Sequence, residues 1–512
     1  MEQSRTQHVK KNIVFNILKF ATQLLLQFVL RTILIYFMGA EYIGLNGLFT
    51  NIFSFLNLAE LGIGSAITFS MYKPIAEGDT EKVKALENLY KKFYLVIASI
   101  VLGLGLLITP FLKYLIKGGV TVNINIYVLY ILYLINTLVG YFSAHKRSLL
   151  FAHQRSDVES RVGIVNLFVM TILQIIVLIL TKNYYVFFVV NILCTTAECL
   201  IIHKLAKKLF PNISGKSQPV DAETKKVITK NVVALSMHKV GGAVVFSTDN
   251  ILISAFLGAV TLGAYSNYYL IISSLIAIFN LIANAITASV GNLIANQSVE
   301  YVHNKFKQIN LMFAILSAFC SVCFFVLCQP FIKLWTGGNE FMLATSTTLL
   351  LSISFYISKM RQAVLMFRDA AGLFWHDRWK PIIEAAVNLI GSIILAKFLG
   401  INGIVLGTII STLCAPLWVE PLILYKHYFK RNCWVYFKQY LINTLITIVV
   451  GCTCYFTCTL IPNGGIWLLI AKFAACATLC GVLLLAAYSP TKEFKILMST
   501  VKDLLLIRGK NK

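Results

Sequence analysis

Long apolar runs separated by short polar stretches dominate the chain from residue 12 to residue 488. A run of about 20 apolar residues carries a helix across about 30 Å of hydrocarbon. Such runs lie near 12–38, 44–72, 93–112, 124–142, 162–181 and 184–203, and again near 231–257, 263–290, 311–332, 343–367, 381–399, 403–425, 439–461 and 466–488. The pattern predicts an all-α, polytopic membrane protein with about 14 transmembrane helices. The first run is too long and too polar for a cleavable signal peptide and has no small-residue cleavage site, so it is expected to remain as a span.

The pattern also repeats itself at a constant offset of 219 residues. Asn12 falls on Asn231, Phe37-x-Gly39-Ala40 on Phe256-x-Gly258-Ala259, Gly44 on Gly263, and Ala66-Ile67-Thr68-x-Ser70 on Ala285-Ile286-Thr287-x-Ser289. A fixed offset through spans and polar loops alike points to duplication. Six spans precede the second copy, so it enters the membrane in the same sense as the first and the lobes are parallel repeats. The polar stretch from Lys204 to Lys230, with Pro211, Gly215 and Pro219, reads as the linker. The expected division is a six-helix lobe over 1–210, a linker over 211–230, a second six-helix lobe over 231–430, and two extra helices with a basic tail over 431–512.

Composition agrees with this pattern and narrows it. With 58% hydrophobic residues, 13% charged residues and a mean hydropathy of +0.77, a water-soluble globule is excluded. The net charge of +24 would suit a nucleic-acid partner, but the Lys and Arg residues cluster in alternate loops, near 73–92, 143–161, 203–230, 368–380 and 426–438, and at both termini. The opposite loops carry only Lys113, Lys117, Lys182, Lys333 and Lys397. This asymmetry is a topology signal that puts both termini in the cytoplasm, against the lipid bilayer and with no nucleic acid. The cysteines lie almost entirely inside apolar runs, and Cys320-x-x-Cys323 has no second pair and no nearby His, so it reads as helix packing rather than a metal site. Tyr184, Tyr185, Tyr425 and Tyr428 at span ends suggest an interfacial belt.

Polar residues inside the spans carry the functional signal. Asn12, Asn16, Lys19, Gln23, Gln27 and Arg31 follow in steps of three or four, which holds them within an arc of about 120° on one helix face. Two cations facing lipid would cost a few kcal/mol each, so the stripe is expected to face protein or water, with snorkelling as the alternative for Lys19. Span two repeats the idea with Asn46, Thr50, Ser54, Asn57, Glu60, Gly64 and Thr68; Glu60 there needs a cation, water or a proton, or serves as a structural hydrogen-bonding group. In the second copy Lys19 aligns with His238, and Leu30-Arg31 with Asp249-Asn250, so an interlobe cavity would balance Arg31 against Asp249. A static salt bridge is the plainer reading of that pair. On span ten, Lys359 and Arg361 are cavity candidates or snorkelling residues. No phosphate-binding Gly-rich loop, no His-Glu-x-x-His and no sizeable outside loop is present, so no catalytic or metal residues are assigned, no enzyme is expected and no cofactor is required.

The passages Arg31-Thr32, Leu45-Asn46-Gly47-Leu48-Phe49, Leu58-Ala59-Glu60-Leu61-Gly62-Ile63-Gly64-Ser65-Ala66 and Tyr72-Lys73-Pro74-Ile75-Ala76-Glu77 resemble the opening of Wzx-type polysaccharide flippases, in the multidrug, oligosaccharidyl-lipid and polysaccharide exporter superfamily. Ser247-Thr248-Asp249-Asn250-Ile251-Leu252-Ile253-Ser254 resembles the same family in the second half. The resemblance implies alternating access that moves an undecaprenyl-pyrophosphate-linked oligosaccharide from the inner to the outer leaflet of a bacterial cytoplasmic membrane, for cell-surface polysaccharide export alongside a polymerase. By that resemblance and the polar stripes together, Lys19, Gln23, Gln27, Arg31, Asn57, Glu60 and Arg361 are candidates to line the headgroup cavity. Glu60, His238 and Asp249 are candidates to couple transport to a H⁺ or Na⁺ gradient. Drug exporters of the superfamily often carry an acidic residue on span one; Lys19 and Arg31 stand here instead, which favours an anionic cargo. The alternatives are a peptidoglycan-precursor (lipid II) flippase and an ion-coupled multidrug antiporter.

Overall fold

A computed structural model describes residues 5–57, 63–213, 248–373 and 378–499, with isolated positions between them. Its regular elements are helices: α1 Arg5–Met38, α2 Ala40–Leu56, α3 Ile63–Glu77, α4 Thr80–Ile108, α5 Ile126–Ala152, α6 Ser156–Thr181, α7 Tyr184–Leu209, α8 Thr248–Leu257, α9 Ala259–Asn296, α10 Val299–Thr336, α11 Thr345–Met360, α12 Gln362–Ala370, α13 Lys380–Leu399, α14 Ile401–Cys414, α15 Pro416–Ile423, α16 Trp434–Thr459 and α17 Ile466–Tyr488.

Among the described residues, 11 helical stretches are long and apolar enough to cross a membrane, where the apolar pattern suggested about 14 runs. Three runs account for the difference. In the second run α2 ends at Leu56 with Asn57 as its C-cap, and residues 58–62 lie outside the described residues. The tenth breaks at Arg361, which ends α11 and begins α12. Of the seventh run, 231–257, only α8 is described.

The chain forms two compact units, residues 1–263 and 264–512. In unit 1, α1 packs along α6, α5 lies against α4 and α7, and α3 fits between α4 and α5. Short links need dedicated caps, because helix ends near lipid cannot leave amides unbonded. Asp79 accepts from the Lys82 amide at 2.9 Å to start α4, while Asn125 and Asn183 accept from first-turn amides of α5 and α7. Gly39, at φ 82°, is the whole link between α1 and α2.

Unit 1 also contains a reciprocal contact between residues related by the 219-residue offset. A Cβ on Gly44 would lie 1.8 Å from the Ala259 carbonyl oxygen, and one on Gly263 would lie 2.0 Å from the Ala40 carbonyl oxygen. The first turns of α2 and α9 therefore meet backbone to backbone through matched Ala and Gly positions.

In unit 2, α13 and α14 form a tight hairpin; a Cβ on Gly403 would meet Leu395 backbone at 2.1 Å, and one on Gly407 would meet Ser392 Oγ at 2.2 Å. Helix α10 packs against α11, α16 and α17. Two of the four span-end tyrosines depart from the expected interfacial belt. Tyr184 and Tyr425 are buried among helices, Tyr425 with its ring against His303, Phe306 and Phe429.

Candidate functional site

The polar stripe of α1 divides into two parts with different environments. Its first half is consumed by α6. Asn12 donates to the Gln154 carbonyl at 2.8 Å and accepts from the Asp157 amide at 2.9 Å, and Asn16 accepts from the Ser160 hydroxyl. Lys19 donates to Glu159 at 3.2 Å, and Glu159 also takes Arg147 at 3.2 Å. Arg147 reaches on to Glu198 at 2.8 Å, whose second oxygen accepts from Asn166 at 2.7 Å. This network of two bases and two acids ties α1, α5, α6 and α7 together. A Cβ at Gly163 would lie 2.8 Å from Lys19 Cε, so α6 opens a groove for the lysine stem there. Lys19 neither snorkels nor stands as a free cavity charge: a carboxylate of the same unit satisfies it, as a partly buried cation requires.

The second half of the stripe is different. Gln23 and Gln27 are exposed, and Arg31 is half-buried. Its Nη1 is fully buried and has no hydrogen-bond acceptor, and no carboxylate pairs with the guanidinium among the described residues. The hydroxyls of Tyr184 and Tyr133 lie within electrostatic reach of it. Tyr133 donates to Asn46 Oδ1 at 2.7 Å and lies 3.4 Å from the Tyr184 hydroxyl, and its ring stacks on Phe188 with centroids 3.9 Å apart. Neutral hydroxyls solvate a cation without cancelling its charge, so the described residues around Arg31 leave its positive charge unbalanced. Asn57 accepts from the Tyr141 hydroxyl at the end of α2.

Tyr133 and Tyr141 are site residues that the sequence pattern did not single out, and Tyr184 stood out only as a span-end tyrosine. A usable signal was present: Tyr130, Tyr133 and Tyr141 recur at helical spacing in one apolar run, where isolated aromatic residues would read simply as core. Asp249 lies in α8, half-buried beside buried Asn250. Glu60 and His238 lie outside the described residues.

In unit 2, Arg361 is held tightly. Its Nε and Nη2 donate to the two oxygens of Glu420 at 2.9 and 2.6 Å, Lys380 donates to the same carboxylate, and Arg368 Nη1 stands 3.7 Å away. Glu420 is completely buried. Arg361 thus closes the break between α11 and α12 instead of standing free in a cavity, and a buried bidentate pair is the arrangement that a broken span tolerates. Lys359 is buried nearby, with no carboxylate at ion-pair distance among the described residues. Of the candidate cations, Lys19 and Arg361 are neutralised within their own units, and Arg31 is not. The arrangement around Arg31, with exposed amides along the same helix face, can bind an anion.

Residues 9–288 match the model of the polysaccharide biosynthesis protein family. No curated protein matches the chain. Among solved structures, it is similar to the lipid II flippase MurJ in an inward closed conformation, with a TM-score of 0.65 and 14% identity over 93% of this chain and 99% of that one. It is also similar to a mutant of the Vibrio cholerae MATE transporter VcmN, with a TM-score of 0.59 and 15% identity over 84% and 99% of the two chains. An inward-facing multidrug resistance MATE family transporter of the MOP superfamily follows, with a TM-score of 0.57 and 15% identity over 78% and 94%. At these identities the likeness is one of fold. Because the family model spans more than half of its length, the chain is a multi-pass membrane protein that belongs to the polysaccharide biosynthesis protein family, built on a MurJ- and MATE-like fold.

Proposed function

We propose that this protein is a flippase that carries an undecaprenyl-pyrophosphate-linked oligosaccharide from the inner to the outer leaflet of a bacterial cytoplasmic membrane by alternating access, with both termini in the cytoplasm. The observation that carries the reading is Arg31, a membrane-embedded guanidinium with a buried, unsatisfied donor and no carboxylate partner among the described residues. A cation retained at membrane depth without a counter-ion is costly unless a transient anion completes it. A pyrophosphate does so with geometry suited to a guanidinium. Family membership supports a role in polysaccharide assembly, and the fold supports transport rather than bond-making chemistry.

In this reading Gln23, Gln27 and the hydroxyl cluster around Tyr133 offer hydrogen bonds to sugar and phosphate, while the polyprenyl tail stays in lipid. The barrier being lowered is the transfer of an ionised, hydrated headgroup into hydrocarbon, on the order of tens of kcal/mol unaided. Asp249, Glu60 and His238 are the proposed coupling groups for a H⁺ or Na⁺ gradient.

The test is flipping of a fluorescent undecaprenyl-pyrophosphate oligosaccharide in proteoliposomes. Arg31→Ala is expected to lower the rate at least tenfold with folding unchanged, and Arg31→Lys to retain part of it; full flipping by Arg31→Ala would end the proposal. Rescue of cells lacking lipid II flippase activity would point to the peptidoglycan precursor instead, and gradient-dependent drug efflux would point to an antiporter.

A further inference from the structure

A second cationic site lies in unit 2, away from Glu420 and independent of the transport reading. Two adjoining cavities of about 310 and 360 Å³ lie where the end of α10 meets the turn between α16 and α17, and they share Pro330, Pro462, Asn463 and Lys472. Lys472 is the sole charged residue of α17, a 23-residue helix otherwise built from apolar, small and hydroxyl-bearing side chains. It stands in the second turn, about 9 Å along the axis from the helix start. A lysine at that depth ordinarily snorkels, sending its head outward into water or headgroups. This one is 6% exposed and forms part of the cavity wall.

Its ammonium has an incomplete set of partners. Lys472 Nζ donates to the Asn463 amide oxygen at 2.7 Å, and no carboxylate lies at ion-pair distance among the described residues. A neutral amide takes one of three ammonium hydrogens and leaves the charge uncompensated. Two further features have the same sign. Lys333, exposed near the end of α10, lines the first cavity. The start of α17 also borders it through Gly464, Leu468 and Leu469, with no side-chain cap at Gly465 and no acidic residue in the first turn, so the positive end of the helix dipole is unanswered. The second cavity continues from Lys472 past the apolar side chains of Phe325, Val326 and Ile461 and the ring of Tyr455, with Gln329, Thr345 and Thr459 also in its lining.

A cationic end joined to a cavity with an apolar side matches a phosphate group that carries a hydrocarbon chain. We propose that this cavity binds the phosphate of an anionic membrane lipid, with Lys472 and Lys333 as its cationic contacts. The apolar side favours a lipid phosphate over a free one, since inorganic phosphate would use the lysines and leave that side empty.

The experiment uses the full chain in phosphatidylcholine nanodiscs titrated with phosphatidylglycerol, with retained lipid counted by native mass spectrometry. The wild type is expected to retain phosphatidylglycerol selectively, and Lys472→Met to bind it at least tenfold more weakly, the consequence of losing charge-assisted hydrogen bonds. Lys472→Arg is expected to stay within about threefold of the wild type, because charge and donors remain. Lys333→Gln, at an exposed position, is expected to weaken binding about threefold. Inorganic phosphate at millimolar concentration is expected not to displace the lipid. Equal retention by Lys472→Met, unchanged binding by Lys333→Gln should Lys472→Met fail to fold, no preference for phosphatidylglycerol in the wild type, or displacement by inorganic phosphate would each overturn the proposal.

Discussion

Replacing Glu420 with Gln keeps the side chain's shape and removes one buried negative charge. The carboxylate is wholly enclosed, receives Arg361 through two bonds at 2.9 and 2.6 Å, is shared with Lys380, and has Arg368 at 3.7 Å. Without it, Arg361 and Lys380 lose this carboxylate and face an uncharged amide, while Arg368 keeps Asp369 at 2.6 Å. Removing one partner of a buried ion pair costs about 3–5 kcal/mol, against about 0–1 kcal/mol for an exposed pair. Glu420→Gln is therefore expected to destabilise unit 2 by at least about 3 kcal/mol, which is roughly two decades in the folding equilibrium. Reversible unfolding in mixed micelles measures this, and repeating it at low and high salt tests burial, since enclosed charges are little screened. The double variant Glu420→Gln/Arg361→Met should lose less than the sum of its parts, with a coupling of about 1 kcal/mol or more. A loss below about 1 kcal/mol for Glu420→Gln, or one that disappears in high salt, would show that water reaches the cluster and that the ion pair does not close the helix break.

Other substitutions separate structural from functional roles. Lys19→Met should cost about 1 kcal/mol in stability, because Glu159 keeps Arg147, and should leave flipping within about threefold of the wild type in the proteoliposome assay; a loss as deep as that of Arg31→Ala would return Lys19 to the cargo site. Gly44→Ala places a methyl group 1.8 Å from a backbone oxygen and should cost at least about 2 kcal/mol, whereas Gly103→Ala, with nothing within 4 Å, should be neutral or slightly stabilising; similar melting temperatures for the two would refute the close approach of α2 and α9. Asp79→Ala removes the α4 cap and should lower stability by about 1 kcal/mol, and Asp79→Asn should restore most of it; equal losses in the two would mean that the cap is not the cause.

The sequence made the fold class and the position of Arg31 readable for one reason: both depend on local patterns, the length of apolar runs and the 3.6-residue spacing of polar side chains. The matched Gly and Ala residues of the two copies were visible in the same way, and the structure brings Gly44 against Ala259 and Gly263 against Ala40. What depends on distant pairing was not readable. Lys19 and Arg361 stand out as charges in apolar runs, but Glu159 lies 140 residues from the first and Glu420 lies 59 from the second, and no local pattern nominates either acid. The break at Arg361 was hidden because no Gly or Pro marks it. Lys472 escaped notice for the opposite reason, as a single cation inside a run whose average hydropathy outweighs it.

The chain of contacts from Lys19 through Glu159 and Arg147 to Glu198 alternates in sign and sums to zero. Losing any one member leaves an odd charge at the join of four helices, and losing a neighbouring pair of opposite sign does not. Selection acting on such a set favours paired replacement, so these four positions should vary together across descendants of the same ancestor, while Arg31, with no carboxylate pairing it among the described residues, stands outside that balance.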